Sequence, residues 1–193
     1  NFFVAEDWNE KKILIEFEGV YKDACVYING KEAGKNAYGY TQFLIDTEGF
    51  LQYGKTNEIK VVVDNSQHPN SRWYTGSGIH RPVWMHIGNK EHIRHQGLRI
   101  TTLSHQPARI QVETEHTGEE VQVEIRHEGK IVASGKGDNL SLDIPSAKLW
   151  SDESPHLYQC VVQLKKDGEI VDQIVEDFGI RTIEWNANGL FVN

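Results

Sequence analysis

Any chemistry in this chain has few places to come from. The stretch DNSQHPNSRWYTGSGIHRPVW, residues 64 to 84, gathers Asn, Ser, Arg, Trp and Tyr between two apolar runs and is longer than a tight hairpin needs. Planar polar side chains that bond hydroxyls, beside rings that cover apolar C–H faces, are what contact with a carbohydrate requires. The bland alternative is that Trp73 and Tyr74 only plug the end of a sandwich. Glycoside hydrolysis itself asks for two carboxyl groups about 5 Å apart for retention and wider for inversion. Glu113 and Glu115 could meet that spacing, but they alternate with Ile110 and Val112, the pattern of a solvated strand face. Ser77 lies in Gly76-Ser77-Gly78, which is not the G-x-S-x-G elbow of a hydrolase, and no helix pattern follows it. Zinc would need close His or Cys pairs. His92 and His95 sit in a polar stretch, and His80 and His86, read on one strand, would be about 20 Å apart. The residues therefore offer no catalytic side chain, no metal site and no cofactor site.

The elements that must position this segment are strands. Ile13, Ile15 and Phe17 alternate with Leu14 and Glu16, Ile59, Val61 and Val63 with Lys60 and Val62, and Val121, Val123 and Ile125 with Gln122 and Glu124. A period of two marks strands with one face against a core. Asn29-Gly30, Glu128-Gly129 and Asp167-Gly168 fall where hairpins needing positive φ would reverse the chain. Apolar residues nowhere recur at helical spacing for three turns, so the fold class is all-β with antiparallel sheets.

Composition narrows the partners. Across 193 residues, 20 Lys+Arg face 28 Asp+Glu, a net charge of −8, which leaves no basic surface for a phosphate backbone, so no nucleic-acid partner is expected. No membrane partner is expected either, because no apolar run approaches the ~18 residues of a spanning helix. Residues 1 to 20 lack a charged-then-apolar leader pattern. Cys25 and Cys160, two thiols far apart, read as buried free cysteines. Of the 19 aromatic residues, 14 lie before residue 89, and the polar stretch 88 to 92 interrupts the strand pattern; together these place a boundary between two separately packed sandwiches at about 88 to 96. Roughly seven short strands in the ~80 residues after Leu98 suit an immunoglobulin-like sandwich.

Several ordered motifs resemble glycoside hydrolase family 2, the family of β-galactosidases, β-glucuronidases and β-mannosidases. Phe17-Glu18-Gly19-Val20, C-V-Y-I-N-G-K at 25 to 31, Gly39-Tyr40 leading to Phe43 and Asp46, and S-R-W-Y-T-G-S-G-I-H-R-P-V-W are similar to its N-terminal sugar-binding domain. H-I-R-H-Q-G-L-R-I-T-T at 92 to 102, L-W-S-D-E-S-P-H-L-Y at 149 to 158 and F-G-I-R-T-I-E-W at 178 to 185 resemble the immunoglobulin-like second domain and its exit. The resemblance implies a jelly-roll-like (galactose-binding-like) sandwich over 1–88 that lacks its first strands, an immunoglobulin-like sandwich over 89–182, and in 183–193 the start of a linker into a TIM barrel that carries both catalytic glutamates and lies outside this sequence.

In that family the loop before the G-I-x-R strand reaches toward the barrel's sugar pocket. Carried over by position, the substrate-binding residues are Asn70, Arg72, Trp73 and Tyr74. Arg81 is assigned a structural ion pair near the sheet end. Some relatives place an Asp at or just before the aromatic pair, where this chain has Asn70, Ser71 and Arg72, so the sugar is left open. The function implied is that of a non-catalytic front part of a retaining β-glycosidase, β-galactosidase-like, whose partners are a β-glycoside and its own barrel. Family habit implies a bacterial periplasmic or secreted location. Two other readings stand beside it: an independent carbohydrate-binding or adhesion module, and a purely structural pair of sandwiches.

Overall fold

The computed structural model describes residues 1–67 and 74–193, and the chain folds as two compact units, Asn1–Lys90 and Glu91–Asn193. Nearly every element is a strand. The first unit holds β1 (Phe2–Val4), a short 3-10 turn at Glu6–Glu10, β2 (Lys11–Phe17), β3 (Val20–Tyr21), β4 (Ala24–Ile28), β5 (Lys31–Asn36), β6 (Phe43–Asp46), β7 (Lys55–Asn57), β8 (Ile59–Val62), β9 (Gly78–Ile79) and β10 (Val83–Asn89). The second holds β11 (Ile93–His105), β12 (Ala108–His116), β13 (Glu120–His127), β14 (Lys130–Lys136), β15 (Asn139–Asp143), β16 (Tyr158–Lys166), β17 (Glu169–Phe178), β18 (Ile183–Asn186) and β19 (Gly189–Val192).

In the first unit, sheet β10-β2-β6 packs on sheet β5-β4-β8, with β1-β7 and β3-β9 as two-stranded pairs, in a jelly-roll-like sandwich. The period of two explains why. Ile13, Ile15 and Phe17 of β2 and Val26 and Ile28 of β4 are all buried, and Phe17 stacks on Phe43 of β6 with ring centroids 5.0 Å apart. The sheets approach closely where β5 has Gly34: a Cβ there would lie 2.5 Å from Ile45 Cδ1 of β6. That close approach puts β5 across from β6 and therefore β8 across from β10.

An amide pair, Asn57 buried and Asn29 half-buried, ties the loops at one end. Asn57 is fully buried; its Oδ1 accepts from Asn29 Nδ2 (2.7 Å) and the Gln52 N–H (2.8 Å), and its Nδ2 donates to the carbonyls of Gln52 and Lys55. Asn29 also donates to the Phe50 carbonyl (2.9 Å) and accepts from the Glu58 N–H (3.0 Å). Every polar atom of the two amides is used, which is the condition for burying them at little cost.

The second unit pairs a three-stranded sheet, β11-β12-β15, with a four-stranded one, β14-β13-β16-β17, the immunoglobulin-like arrangement. Its core gathers Ile110, Val112, Val121, Val123, Ile125, Cys160, Val162, Leu164 and Ile180. The hairpins expected at Asn29-Gly30, Glu128-Gly129 and Asp167-Gly168 are present, both central residues of each having positive φ. Distant motifs converge on one corner: the Trp150 N–H donates to the Ile180 carbonyl (2.9 Å), and the Arg181 guanidinium lies 4.7 Å from the Trp150 ring centre. The stretch 183–193, read as a lead-in, folds as the hairpin β18-β19. Asn193 closes its base, donating from Nδ2 to the Trp150 carbonyl (3.0 Å).

One cysteine departs from expectation. Cys160 is buried, but Cys25 is only half-buried, because β4 turns it to the outer face while Ala24 and Val26 face the core. Burial pushes the Cys160 thiol up to about 12, with the Glu176 charge adding to the effect. In the native chain at pH 8 a thiol reagent is expected to modify Cys25 within minutes and Cys160 only after denaturation, counted by mass spectrometry. Replacing Asn57 with Ala orphans three backbone groups and the Asn29 amide, so urea unfolding is expected to show a loss of about 3 kcal/mol.

Candidate functional site

The segment singled out by sequence is anchored at both ends by backbone pairing in the first unit. Before it, the Asp64 N–H donates to the Lys22 carbonyl (3.0 Å), and the Asp64 carboxylate accepts from the Ser66 N–H (2.9 Å). Bonds from the Ser66 hydroxyl and N–H hold the Asp64 carboxyl below its usual range. After it, β9 pairs with β3, matching Val20 with Ile79 and Tyr21 with Gly78. The His80 N–H then donates to the Gly19 carbonyl (3.2 Å), and the Glu18 N–H to the Pro82 carbonyl (3.2 Å). Asn65 Nδ2 donates to Ser77 Oγ (3.2 Å), so the two limbs also touch each other.

Of the four residues expected to bind substrate, Asn70, Arg72 and Trp73 lie outside the described residues. Tyr74 is described, and its side chain is 95% exposed. A plug for the end of the sandwich would be covered, so for Tyr74 the bland reading fails.

Sequence reasoning assigned no site role to the aromatic cluster at the foot of this segment. Tyr40 stands edge-on to Tyr21 (5.3 Å between ring centres), Tyr38 (5.8 Å) and His80 (5.7 Å). Tyr21 is buried and forms the floor, while Tyr38 and Tyr40 are 61% and 47% exposed. The backbone under them is held by Asn36 Nδ2, which donates to the Tyr38 carbonyl (2.7 Å). Arg81 Nη1 donates to the Tyr40 carbonyl (3.3 Å). This corrects the ion pair expected of Arg81: among the described residues it has no carboxylate partner, and its side chain reaches a backbone oxygen instead. Gly39 permits the close approach, since a Cβ there would lie 2.9 Å from the Tyr21 backbone and closer still to its ring. The signal available in the sequence was Tyr38-Gly39-Tyr40 itself, two rings flanking the one residue that admits a third. Exposed rings over a buried ring present flat apolar area and phenolic hydroxyls together, the chemistry of a sugar face.

Several described carboxylates of the outer faces have partners within their own unit. Glu113 and Glu115 lie on the outer face of β12, opposite the buried Val112 and Thr114, and Glu113 pairs with Arg99 (3.7 Å). Asp143 takes two bonds from Arg109 (2.6 and 3.2 Å), which hold it below the ordinary carboxylate range. Glu120 and Glu128 are held down likewise by Lys136 and Lys148. In the first unit, Glu18 accepts from Trp84 Nε1 (2.6 Å) and Glu16 lies 2.8 Å from His86 Nε2. His80 lies outside β10, so it does not share a strand with His86. The His92 N–H donates to Thr117 Oγ1 (2.9 Å), a structural role.

Comparison with known proteins adds the following. Residues 1–87 match the model described as glycosyl hydrolases family 2, sugar binding domain, and residues 94–181 the model described as glycosyl hydrolases family 2. A β-galactosidase of Bacteroides ovatus is 32% identical over 198 residues, which cover 92% of this chain and 23% of that protein. A solved family 2 member from Bacteroides cellulosilyticus superposes with a TM-score of 0.86 at 28% identity, covering 100% of this chain and 28% of its own. The β-D-glucuronidase of Dictyoglomus thermophilum superposes at 0.84 with 26% identity, covering 100% and 37%. The chain thus spans between about a fifth and two fifths of the proteins it matches. Substituting Gly39 with Ala is expected to cost about 1–3 kcal/mol through overpacking against Tyr21, and to shift the near-ultraviolet circular dichroism of the tyrosine cluster.

Proposed function

The chain belongs to glycosyl hydrolase family 2, and on that premise we propose that it is the non-catalytic N-terminal part of a retaining β-glycosidase, β-galactosidase-like. Its two sandwiches scaffold a catalytic barrel, and residues 65–76 complete that barrel's sugar pocket. The parent enzyme cleaves a β-glycoside by double displacement: one carboxylate attacks the anomeric carbon, and a second carboxylic acid protonates the leaving oxygen and then activates water. Both groups belong to the barrel. Asn70 and Arg72 bond sugar hydroxyls, and Trp73 and Tyr74 cover the apolar face.

The observation that carries this reading is the likeness across both sandwiches to much longer family members. A second feature supports attachment to a further body. In the hairpin β18-β19, Ile183 pairs with Val192 and Trp185 with Leu190, so these four side chains share one face. All four are exposed, Trp185 at 81%. An isolated two-stranded hairpin with a bare apolar face is marginal in water and gains stability once that face is covered.

The exposed rings of Tyr38, Tyr40 and Tyr74 favour one other reading, a carbohydrate-binding module that acts by itself. Two measurements separate them. Nitrophenyl β-galactoside and β-glucuronide are expected to be hydrolysed by the longer polypeptide and not by residues 1–193, and Tyr74→Ala in the longer form is expected to lower kcat/KM about tenfold, roughly the worth of one stacking ring. Turnover by the pure 193-residue chain overturns the proposal. Calorimetric binding of galactose, glucuronic acid or mannose to that chain establishes the module instead.

A further inference from the structure

Tyr38 and Tyr40 belong to the loop between β5 and β6, far in sequence from residues 65–76, yet both rings stand exposed at the foot of that segment. Their positions are fixed. Buried Tyr21 supports Tyr40 from below, and His80 and Tyr38 stand edge-on to the same ring. The main chain under them is pinned at two carbonyls: Asn36 Nδ2 and Thr41 Oγ1 donate to that of Tyr38 (2.7 and 3.3 Å), and Arg81 Nη1 donates to that of Tyr40 (3.3 Å). Rings held this way lose little freedom when a ligand settles on them.

The polar atoms around the rings say what kind of ligand that is. A tyrosine covered by an apolar partner needs a hydrogen bond for its hydroxyl. Among the described residues the phenolic hydroxyls of Tyr38 and Tyr40 make none, and the exposed Arg81 guanidinium beside them uses one N–H on the Tyr40 carbonyl and has others to offer. Flat apolar faces with donors and acceptors at their rims match a pyranose ring, which presents C–H faces and a rim of hydroxyls. The cluster also stands within reach of the pocket segment. Gly78 pairs with Tyr21, and Tyr74 precedes Gly78 by four residues, so the two Cα atoms are at most about 14 Å apart even in a fully extended chain. A short oligosaccharide spans that distance.

We propose that Tyr38 and Tyr40 form a second sugar contact on the leaving-group side of the pocket that residues 65–76 complete, and that the substrate class of the parent enzyme is a β-linked oligosaccharide. The ring whose bond is cleaved fills the pocket. The next ring, beyond the cleaved bond, rests on Tyr38 and Tyr40, with the phenols and Arg81 bonding its hydroxyls. It is assigned to the leaving group because the pocket segment holds the ring that is cleaved, and these two tyrosines come from a different loop. The inference rests on the reading of the chain as part of a longer glycosidase.

Steady-state kinetics on the longer polypeptide test it, with methyl β-galactoside, which has no second ring, and a β-galactosyl disaccharide as the two substrates. Tyr38→Ala is expected to lower the ratio of kcat/KM for the disaccharide to kcat/KM for the methyl glycoside about tenfold, and Tyr38→Phe, which keeps the ring, to restore most of it. The urea midpoint is measured beside the kinetics and is expected to move little in either variant, since Tyr38 lies on the outside of the cluster. A ratio left unchanged by Tyr38→Ala overturns the proposal. If activity on both substrates falls together and the midpoint drops, the rings are a docking face for the barrel; if nothing changes, they are plain surface. Tyr38→Phe behaving like Tyr38→Ala overturns it as well, because the ring is then not what the sugar meets. Failure of the unaltered longer polypeptide to hydrolyse either glycoside removes the glycosidase reading and this inference with it, whereas turnover with an unchanged ratio removes the second-ring contact alone.

Discussion

Each sandwich depends on covering one apolar face of a sheet with another. Where the cover is complete, as between β2 and β4 or between β12 and β13, side chains reach the exclusion from water that offsets the loss of chain entropy. Where it is incomplete the molecule shows it directly. β10 presents the same alternation as its neighbour β2 but stands at the edge of its sheet with Val83, Met85 and Ile87 exposed, and the β18-β19 hairpin has an apolar face with nothing over it. Both features follow from the constraint that makes the rest of the fold, since the residues that face a core are chosen for burial.

The candidate site uses the rigidity this creates. The described parts of the segment, residues 64–67 and 74–84, are tied to the sandwich by main-chain bonds to Lys22, Val20, Tyr21, Gly19 and Glu18, a stretch of backbone that leads directly out of β2. Tyr74, beside these anchored residues, has its ring in solvent. Beneath it, the ring of Tyr40 is set by Tyr21, His80 and the bond from Arg81, and the glycine between Tyr38 and Tyr40 admits the buried ring on which the exposed ones rest. Elsewhere Asp143, Glu120 and Glu128 are held by Arg109, Lys136 and Lys148, and Glu18 by the Trp84 ring N–H.

Legibility followed the range of the forces involved. The alternation of Ile13, Ile15 and Phe17 and the Asn-Gly, Glu-Gly and Asp-Gly reversals are local consequences of strand pleat and positive φ, and each stands where the sequence put it. The residues misread were those whose surroundings come from far along the chain. Cys25 is half-buried because of the parity of β4. Arg81 meets a carbonyl 41 positions away instead of a carboxylate. The aromatic cluster joins β3, the loop after β5 and the residue after β9, and no spacing rule unites those three. For the sugar-contact segment, the sequence identified Tyr74 by resemblance and the structure shows its ring exposed, while Asn70, Arg72 and Trp73 stand as proposals.

By itself the sequence determined the all-β class, the hairpin positions and the resemblance to a family, because periodicity, turn chemistry and motif order are written along one strand at a time. Only the tertiary structure decided that Asn29 and Asn57 satisfy each other, that Trp150 meets Arg181, and that β10 is an uncovered edge. Those facts depend on which strands become neighbours, and strand neighbours are selected by the burial of whole faces, a sum over residues distant in sequence that no local pattern contains.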